Sequence, residues 1–306
     1  MNLRAAAKAR GGDVVRGRHG QQILAPGPGH SRHDRSLSVI FMGGDLVVNS
    51  FAGDDPLICK DHVRRLLGMP EWRPGAHRTA PARAKPNLEE ENRPMTPDEL
   101  ERVGMARDVW DKADDPRGTL VEQYLRSRAL ALPDDLAGTV LRFHPRCTWR
   151  DENSGRTIRI PALVAAFRNI DTDEITAVHR MRLDQPERWP KIDRRMFGIV
   201  RRGAVKLAPV GTELAIGEGI ETCMAAREMG MEFPVWALGS CGSIAFFPII
   251  PGVKCLILIR ENDPANLEAV KSCGTRWKRA GIRVRTATPV NGNDMNDALM
   301  AEASAR

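Results

Sequence analysis

Three apolar runs in the last third of the chain lead into acidic clusters: Leu214–Gly217 into Glu218 and Glu221, Cys255–Arg260 into Glu261 and Asp263, and Val284–Ala287 into Asp294 and Asp297. Each run is short and is followed by a helical pattern, so each reads as a buried parallel strand. Carboxylates at the C-terminal ends of neighbouring parallel strands share one crevice, the place where open α/β sheets bind ligands. Like charges crowded there repel one another unless a cation lies between them. Hard oxygen donors suit Mg²⁺, which takes few protein ligands and completes its shell with water and phosphate. The pattern predicts a divalent-metal site for phosphate chemistry. Taken singly, each cluster has an ordinary alternative. Glu218 could be a carboxylate at a helix N-terminus, Glu261 and Asp263 a solvated loop before Pro264, and Asp294 and Asp297 an N-cap and a first-turn acid.

The elements that must position these groups follow from periodicity. Beyond residue 213 strands alternate with helices at Ile220–Met229, Pro264–Ala280 and Met295–Ala303, which predicts a parallel sheet covered on both faces. Residues 139–208 read as β structure, with Ala162–Phe167 and Ile175–Met181 forming a hairpin around a turn-rich loop. Two helices precede it. Thr96, Pro97 and Glu99 form a capping box with proline at N1, and Thr119 with Glu122 repeats the box; the pair is expected to form a helical hairpin. Residues 1–75 form a small unit with strands at Ser36–Phe41 and Asp45–Ser50 around a Gly43-Gly44 turn, then one or two helical turns from Asp61 to Leu67. Residues 76–95 are a proline-rich linker. The expected boundaries are therefore 1–75, 76–95, 96–210 and 211–306, and no internal repeat is present.

Charge is unevenly placed along the 306 residues. Net charge is +7 over residues 1–86, −6 over 87–141, +7 over 142–206 and −1 beyond. Two basic segments beside a carboxylate-rich centre suit a protein that handles a polyanion. Arg180, Arg182, Lys191, Arg194, Arg195, Arg201 and Arg202 interleave with Trp189 and Phe197. Such a mixture can neutralise the phosphates of a single strand and stack its bases; the alternative is salt-bridged arginines around core aromatics. The six cysteines show no CxxC pairing and read as reduced structural thiols. With no apolar run of membrane length and no signal-peptide core, the expected location is cytoplasmic, with no membrane partner.

The strand-Glu218-Gly219 element, followed 43 residues later by strand-Glu261-x-Asp263 and then Asp294, resembles the Toprim domain of bacterial and phage primases, topoisomerases and some nucleases. The likeness covers residues 211–304, including the Gly239–Ser243 loop. Upstream, Gly118–Arg128, Pro161–Leu183 and Gly203–Leu207 are similar to primase-like Toprim proteins of proteobacteria, phages and integrated elements. The resemblance implies an α/β fold ending in a Toprim domain, with Glu218 as general acid or base or a further metal contact. It implies Glu261, Asp263, Asp294 and Asp297 as ligands of Mg²⁺ (or Mn²⁺), and a backbone that approaches closely at Gly219. The family usually has Asp-x-Asp where this chain has Glu261, an acid where it has Thr222, and no arginine like Arg260 beside the pair. The opening residues resemble the zinc ribbon of primases, but the cysteine positions hold Gly27, Ser50 and Asp54, leaving His30 alone. A metal-free ribbon packed on Phe51 and Leu66 is expected, with zinc unlikely and template contacts at Arg32, Arg35, Arg64 and Arg65.

The resemblance implies nucleotidyl transfer from nucleoside triphosphates on single-stranded DNA, in replication of a phage, plasmid or integrated element. A Toprim nuclease and a weakened nucleic-acid-binding module remain open as alternatives. No Walker A motif is present, so a replicative helicase would be a separate chain.

Overall fold

The computed structural model describes residues 13–17, 20–31, 33–42, 45–50, 52, 54–66, 93–151 and 156–305. The chain divides into two compact units, Met1–Lys85 and Pro86–Arg306. The expected linker falls almost wholly outside the described residues, as do Phe51 and Arg32.

The first unit is an antiparallel meander of β1 (Asp13–Gly17), β2 (Gly20–Ala25), β3 (Leu37–Met42) and β4 (Asp45–Ser50), followed by α1 (Pro56–Leu66). Ile23, Ala25, Leu37 and Val39 alternate inward and meet Cys59 and Val63, four apart on one helix face. Strands β3 and β4 match the sequence reading. Strands β1 and β2 go beyond it, because their short apolar content gains strand character only by pairing with β3. Helix α1 also starts five residues before Asp61. The four ribbon positions do come together. The Ser50 hydroxyl donates to Asp54 (2.7 Å), His30 Nε2 bonds Asp54 (3.2 Å), and a Cβ at Gly27 would lie 2.8 Å from Asp54. His30 Nδ1 also bonds Asp34 at 2.6 Å, and the Ser36 hydroxyl donates to the same carboxylate. A polar network thus occupies the place where a ribbon carries its ligands.

In the second unit one sheet runs from end to end. β5 (Leu141–Arg150), β6 (Thr157–Asn169), β7 (Ile175–Arg182), β8 (Arg194–Gly198) and β9 (Gly203–Lys206) are antiparallel. β10 (Glu213–Gly217), β11 (Val235–Ala237), β12 (Cys255–Ile259) and β13 (Arg283–Ala287) are parallel. The order is β13-β12-β10-β11-β9-β6-β7-β8, with β5 on β6, so β9 joins the halves across residue 210. The chain leaves β10 for β11 on one side and returns to β12 on the other. The C-terminal ends of β10 and β12 therefore flank a topological switch point.

Before this sheet come α2 (Pro97–Asp111) and α3 (Leu120–Ser127); α4 (Ile220–Glu228), α5 (Cys241–Phe246), α6 (Pro264–Arg279) and α7 (Met295–Ser304) follow its strands. Both halves of the expected capping box at α2 are present: Glu99 N–H donates to Thr96 Oγ1 (3.3 Å) and Thr96 N–H to Glu99 Oε2 (3.0 Å). The expected hairpin of α2 and α3 is not what forms. Ala106 and Trp110 of α2 pack on Val164, Ala166 and Val178, whereas Tyr124 and Leu125 of α3 pack with Leu163, Ala165 and Phe167. Successive β6 residues point to opposite faces, so the helices clasp the sheet from its two sides. Capping signals fix where a helix starts but not what it packs against. In the parallel half, α4 and α7 cover one face while α5 and α6 cover the other.

Candidate active site

Glu218 follows β10, Glu261 follows β12, and Asp294 caps α7 beyond β13. All three line one cleft of about 340 Å³. Thr222, Gly219 and Gly239 lie beside them, and Arg128, His179, Arg194, Arg195, Met196 and Glu221 complete the lining. Gly239 has φ +76°, and a Cβ there would lie 2.3 Å from the Met196 side chain, so the strand-to-α5 loop needs glycine on two counts. Gly219 has an ordinary φ of −85°; its small size matters because a Cβ would come within 3.3 Å of Thr222 Oγ1.

The fully buried Asn266 of α6 ties the two glutamates together. Its Nδ2 donates to Glu218 Oε2 (3.3 Å), and its Oδ1 accepts from the Glu261 backbone N–H (3.0 Å). The Cys241 thiol also donates to Glu218 Oε2 at 2.8 Å, and burial with that acceptor pushes the thiol up to about 12. The Thr222 hydroxyl donates to Glu261 Oε1 at 3.3 Å. Burial, followed by the charges of Glu218 and Asp294, lifts the Glu261 carboxyl to about 7 against the opposing Thr222 bond. Burial chiefly raises Asp294 as well.

The other two predicted ligands have structural duties. Asp263 Oδ1 accepts from Ala265 and Asn266 N–H (both 3.0 Å), capping α6. Asp297 Oδ2 accepts from Asn293 N–H (3.0 Å), while its own N–H donates to Asp294 Oδ1 (2.9 Å). Neither lines the cleft. Among the described residues, no three His, Cys, Asp or Glu side chains gather closely enough to hold a metal ion. The donor set of the cleft still fits a hard divalent cation: its oxygens are carboxylate, and the charges of Glu218 and Asp294 add to the burial that raises Glu261.

At the inner wall of the cleft, Glu221 is buried and accepts from the Tyr124 hydroxyl and from Arg194 (2.5 Å). Burial opposes its charge, but the attraction of Arg194 and these hydrogen bonds hold the carboxyl below its ordinary range. Sequence reasoning does not single out Tyr124, His179, Asn266, Cys241 or Arg128. Tyr124 and Arg128 fall inside Gly118–Arg128, His179 inside Pro161–Leu183 and Cys241 inside the Gly239–Ser243 loop, but no spacing assigns any of the five to the site.

The basic residues separate into paired and outward-facing groups. Arg182 bonds Asp184 (2.6 Å), Arg194 bonds Glu221, Arg201 meets Glu99 (3.5 Å) and Arg202 meets Asp171 (2.8 Å). Trp189 is buried edge-on against Tyr124. Lys191 is exposed at the end of a 3₁₀ turn, Pro186–Lys191. Arg180 lies over Phe197 (4.8 Å), and Arg195 lies over Trp149 (4.6 Å). Both line a groove of about 560 Å³ with Lys112, Arg146, Arg150 and Arg159. Arg195 lines the acidic cleft too. The alternating exposed residues of β5 and β6 supply this groove, a signal that a period-2 count of arginines could have found.

Two domain families match the chain. A domain of unknown function (DUF7146) matches residues 101–207, and a Toprim domain matches residues 213–305. The C-terminal third is a Toprim domain, as its acidic strand ends led us to expect. No curated protein matches. Among solved structures the chain is similar to a DNA primase domain from Pseudomonas aeruginosa, at 16% identity over 65% of this chain and 74% of that one, with a TM-score of 0.44. It is similar to the primase fragment of the bacteriophage T7 primase-helicase protein, at 13% identity over 60% and 66%, with a TM-score of 0.35. It is also similar to the zinc-binding and RNA polymerase domains of Aquifex aeolicus primase, at 13% identity over 94% and 77%, with a TM-score of 0.45. No helix among the described residues is long and apolar enough to cross a membrane.

Proposed function

We propose that this Toprim-containing chain is a primase-like nucleotidyltransferase that joins nucleotides on single-stranded DNA with Mg²⁺ or Mn²⁺. The reading includes service to a phage, plasmid or integrated element and a helicase on a separate chain. One observation carries it: Glu218 and Glu261 meet at the β10/β12 switch point with Asp294, in a cleft that Arg128, Arg194 and Arg195 also line.

In this reading Glu261 and Asp294 hold the cation, while Asp263 caps α6 and Asp297 keeps the Asp294 loop in place. When bound, the ion neutralises the phosphates and the leaving pyrophosphate. Glu218 is fixed through Oε2 by Cys241 and Asn266, which leaves Oε1 to take the proton of the attacking 3′-hydroxyl. Attack forms the new phosphodiester bond and releases pyrophosphate. The groove of Arg146, Arg150 and Arg159 holds the template, and Arg195 connects it to the cleft.

The test is primer synthesis on single-stranded DNA with labelled nucleotides, in Mg²⁺ and in Mn²⁺, with nicking scored in the same lanes. Wild type runs beside Glu218→Gln and Glu261→Gln. Short products lost in both variants support the reading; nicking without synthesis replaces it with a nuclease. A second reading, a binding module with a weakened centre, draws on the absence of a three-ligand group among the described residues. DNA binding without either activity selects it.

A further inference from the structure

His179 sits in β7 between Ala177 and Met181, opposite Ala165 on β6 and Met196 on β8. Its side-chain face is the one that packs toward Tyr124 and the Toprim half. The residue is 6% exposed, yet it lines the acidic cleft, and its Nδ1 has no hydrogen-bond partner among the described residues. Buried polar atoms left unbonded are rare in folded proteins because they forfeit their hydration without a replacement partner.

A second orphan donor lines the same cleft. Arg128 caps the C-terminal end of α3, and its Nε is buried without a partner among the described residues. Its carbonyl accepts from Asn296 Nδ2 at 2.7 Å, which fixes its backbone against the first turn of α7, two residues beyond Asp294. Two residues with an unsatisfied nitrogen, from elements distant in sequence, thus share one cleft of about 340 Å³ with Glu218, Glu261 and Asp294. A ligand that meets both kinds of group carries anionic oxygens toward His179 and Arg128 and reaches a cation on the carboxylates.

We propose that His179 and Arg128 form the seat for the triphosphate of the incoming nucleotide, His179 donating a ring N–H and Arg128 its guanidinium to phosphate oxygens. This rests on the nucleotidyl-transfer reading above and adds to it the residues that take the nucleotide. Burial, followed by the nearby Arg194 and Arg180 against the opposing pull of Glu221, lowers His179 to about 4. The imidazole is therefore neutral at physiological pH, and Arg128 supplies the charge.

The experiment is calorimetric titration of the full chain with ATP and, separately, with inorganic triphosphate, both in excess Mg²⁺. Wild type is compared with His179→Leu, His179→Gln and Arg128→Met, and a short oligothymidylate is titrated into each. We expect His179→Leu and Arg128→Met to weaken both triphosphates about tenfold or more, the size of a lost hydrogen bond to a charged group. His179→Gln, which keeps an N–H, recovers most of the affinity. Oligothymidylate affinity stays within about twofold, since it answers to the basic groove. The melting temperature of His179→Leu should equal or exceed that of wild type, because the substitution removes an unsatisfied polar group. A residue that only supported the fold would give the opposite result.

Unchanged triphosphate affinity in His179→Leu and Arg128→Met overturns the seat, as does a wild type that binds no triphosphate. A loss confined to the oligonucleotide overturns it too and reassigns the pair to a strand phosphate. Binding is read without turnover, so absent primer synthesis with the expected affinities sinks only the activity. Synthesis with unaltered nucleotide affinity in the variants sinks only the seat.

Discussion

The Tyr124 hydroxyl donates to the buried carboxylate of Glu221, joining α3 to the first turn of α4 across 97 positions of sequence. Arg194 of β8 completes the contact from a third element. The helix that starts directly after Glu218 is thereby bolted to the antiparallel half of the sheet. The domain match ends at residue 207 and the next begins at 213, yet both lie in one compact unit, which this contact reinforces beside the β9 pairing.

Removing the phenolic oxygen should therefore be felt by the whole second unit. We expect Tyr124→Phe to lose about 1–3 kcal/mol of stability. Glu221→Ala should lose somewhat more, about 2–3 kcal/mol, because the buried Tyr124 hydroxyl loses its acceptor, while Arg194, 41% exposed, turns to solvent. Urea denaturation of the single and double variants measures both, and additive losses would show that the two groups are not coupled.

Glu261 gives a pH signature. Its folded carboxyl titrates near 7 against an ordinary 4.5, so the fold disfavours the charged form. Without divalent cation, stability should fall as pH rises from about 4.5 to about 7 and level off above. Glu261→Gln should flatten that slope and melt higher than wild type at neutral pH. Added Mg²⁺ should raise the wild-type melting temperature and leave the variant nearly unmoved; an equal response in both would remove Glu261 from the metal site. Melting curves across pH, with chelator and with Mg²⁺, decide it.

The His30 network makes the first unit sensitive in both directions. His30 is raised above 6.5, mainly by its bond to Asp34, so that contribution is present below 6.5 and lost as pH rises through the higher folded value. Asp34 is lowered from 3.8 to about 2, first by Ser36 and then by His30, so its contribution is present above 3.8 and lost on acidification toward 2. Amide exchange in β2 and β3 should be slowest between these limits. Asp54→Ala should speed it, and added zinc should give the wild type no further protection.

For template binding, the outward-facing arginines should matter more than the paired ones. Arg150→Ala with Arg159→Ala should weaken oligothymidylate binding and reduce its salt slope by about 0.7 for each phosphate that is no longer neutralised. Arg182→Ala, whose guanidinium is held by Asp184, should leave the slope unchanged. Binding titrated against salt concentration separates the two cases, and equal slopes in all variants would take the groove out of the template path.

Much of this was legible in the sequence because it is local. Apolar runs ending in Glu218 and Glu261 imply strands with acids at one end, since strand period and length are properties of a few neighbouring residues. Thr96 with Glu99 announces a helix start for the same reason, and the bounds of α4, α6 and α7 lie within one residue of those expected. What tertiary structure decided is which side chains meet. It put α2 and α3 on opposite faces of β6 and used Asp263 and Asp297 to hold helix starts. It committed Arg182, Arg194, Arg201 and Arg202 to carboxylates as far as 102 positions away. It also brought His179 and Arg128, with Nδ1 of the one and Nε of the other unbonded, into the lining of the acidic cleft. Hydrogen bonds and ion pairs act over a few ångströms in space, so partners distant along the chain leave no spacing in the sequence from which to read them.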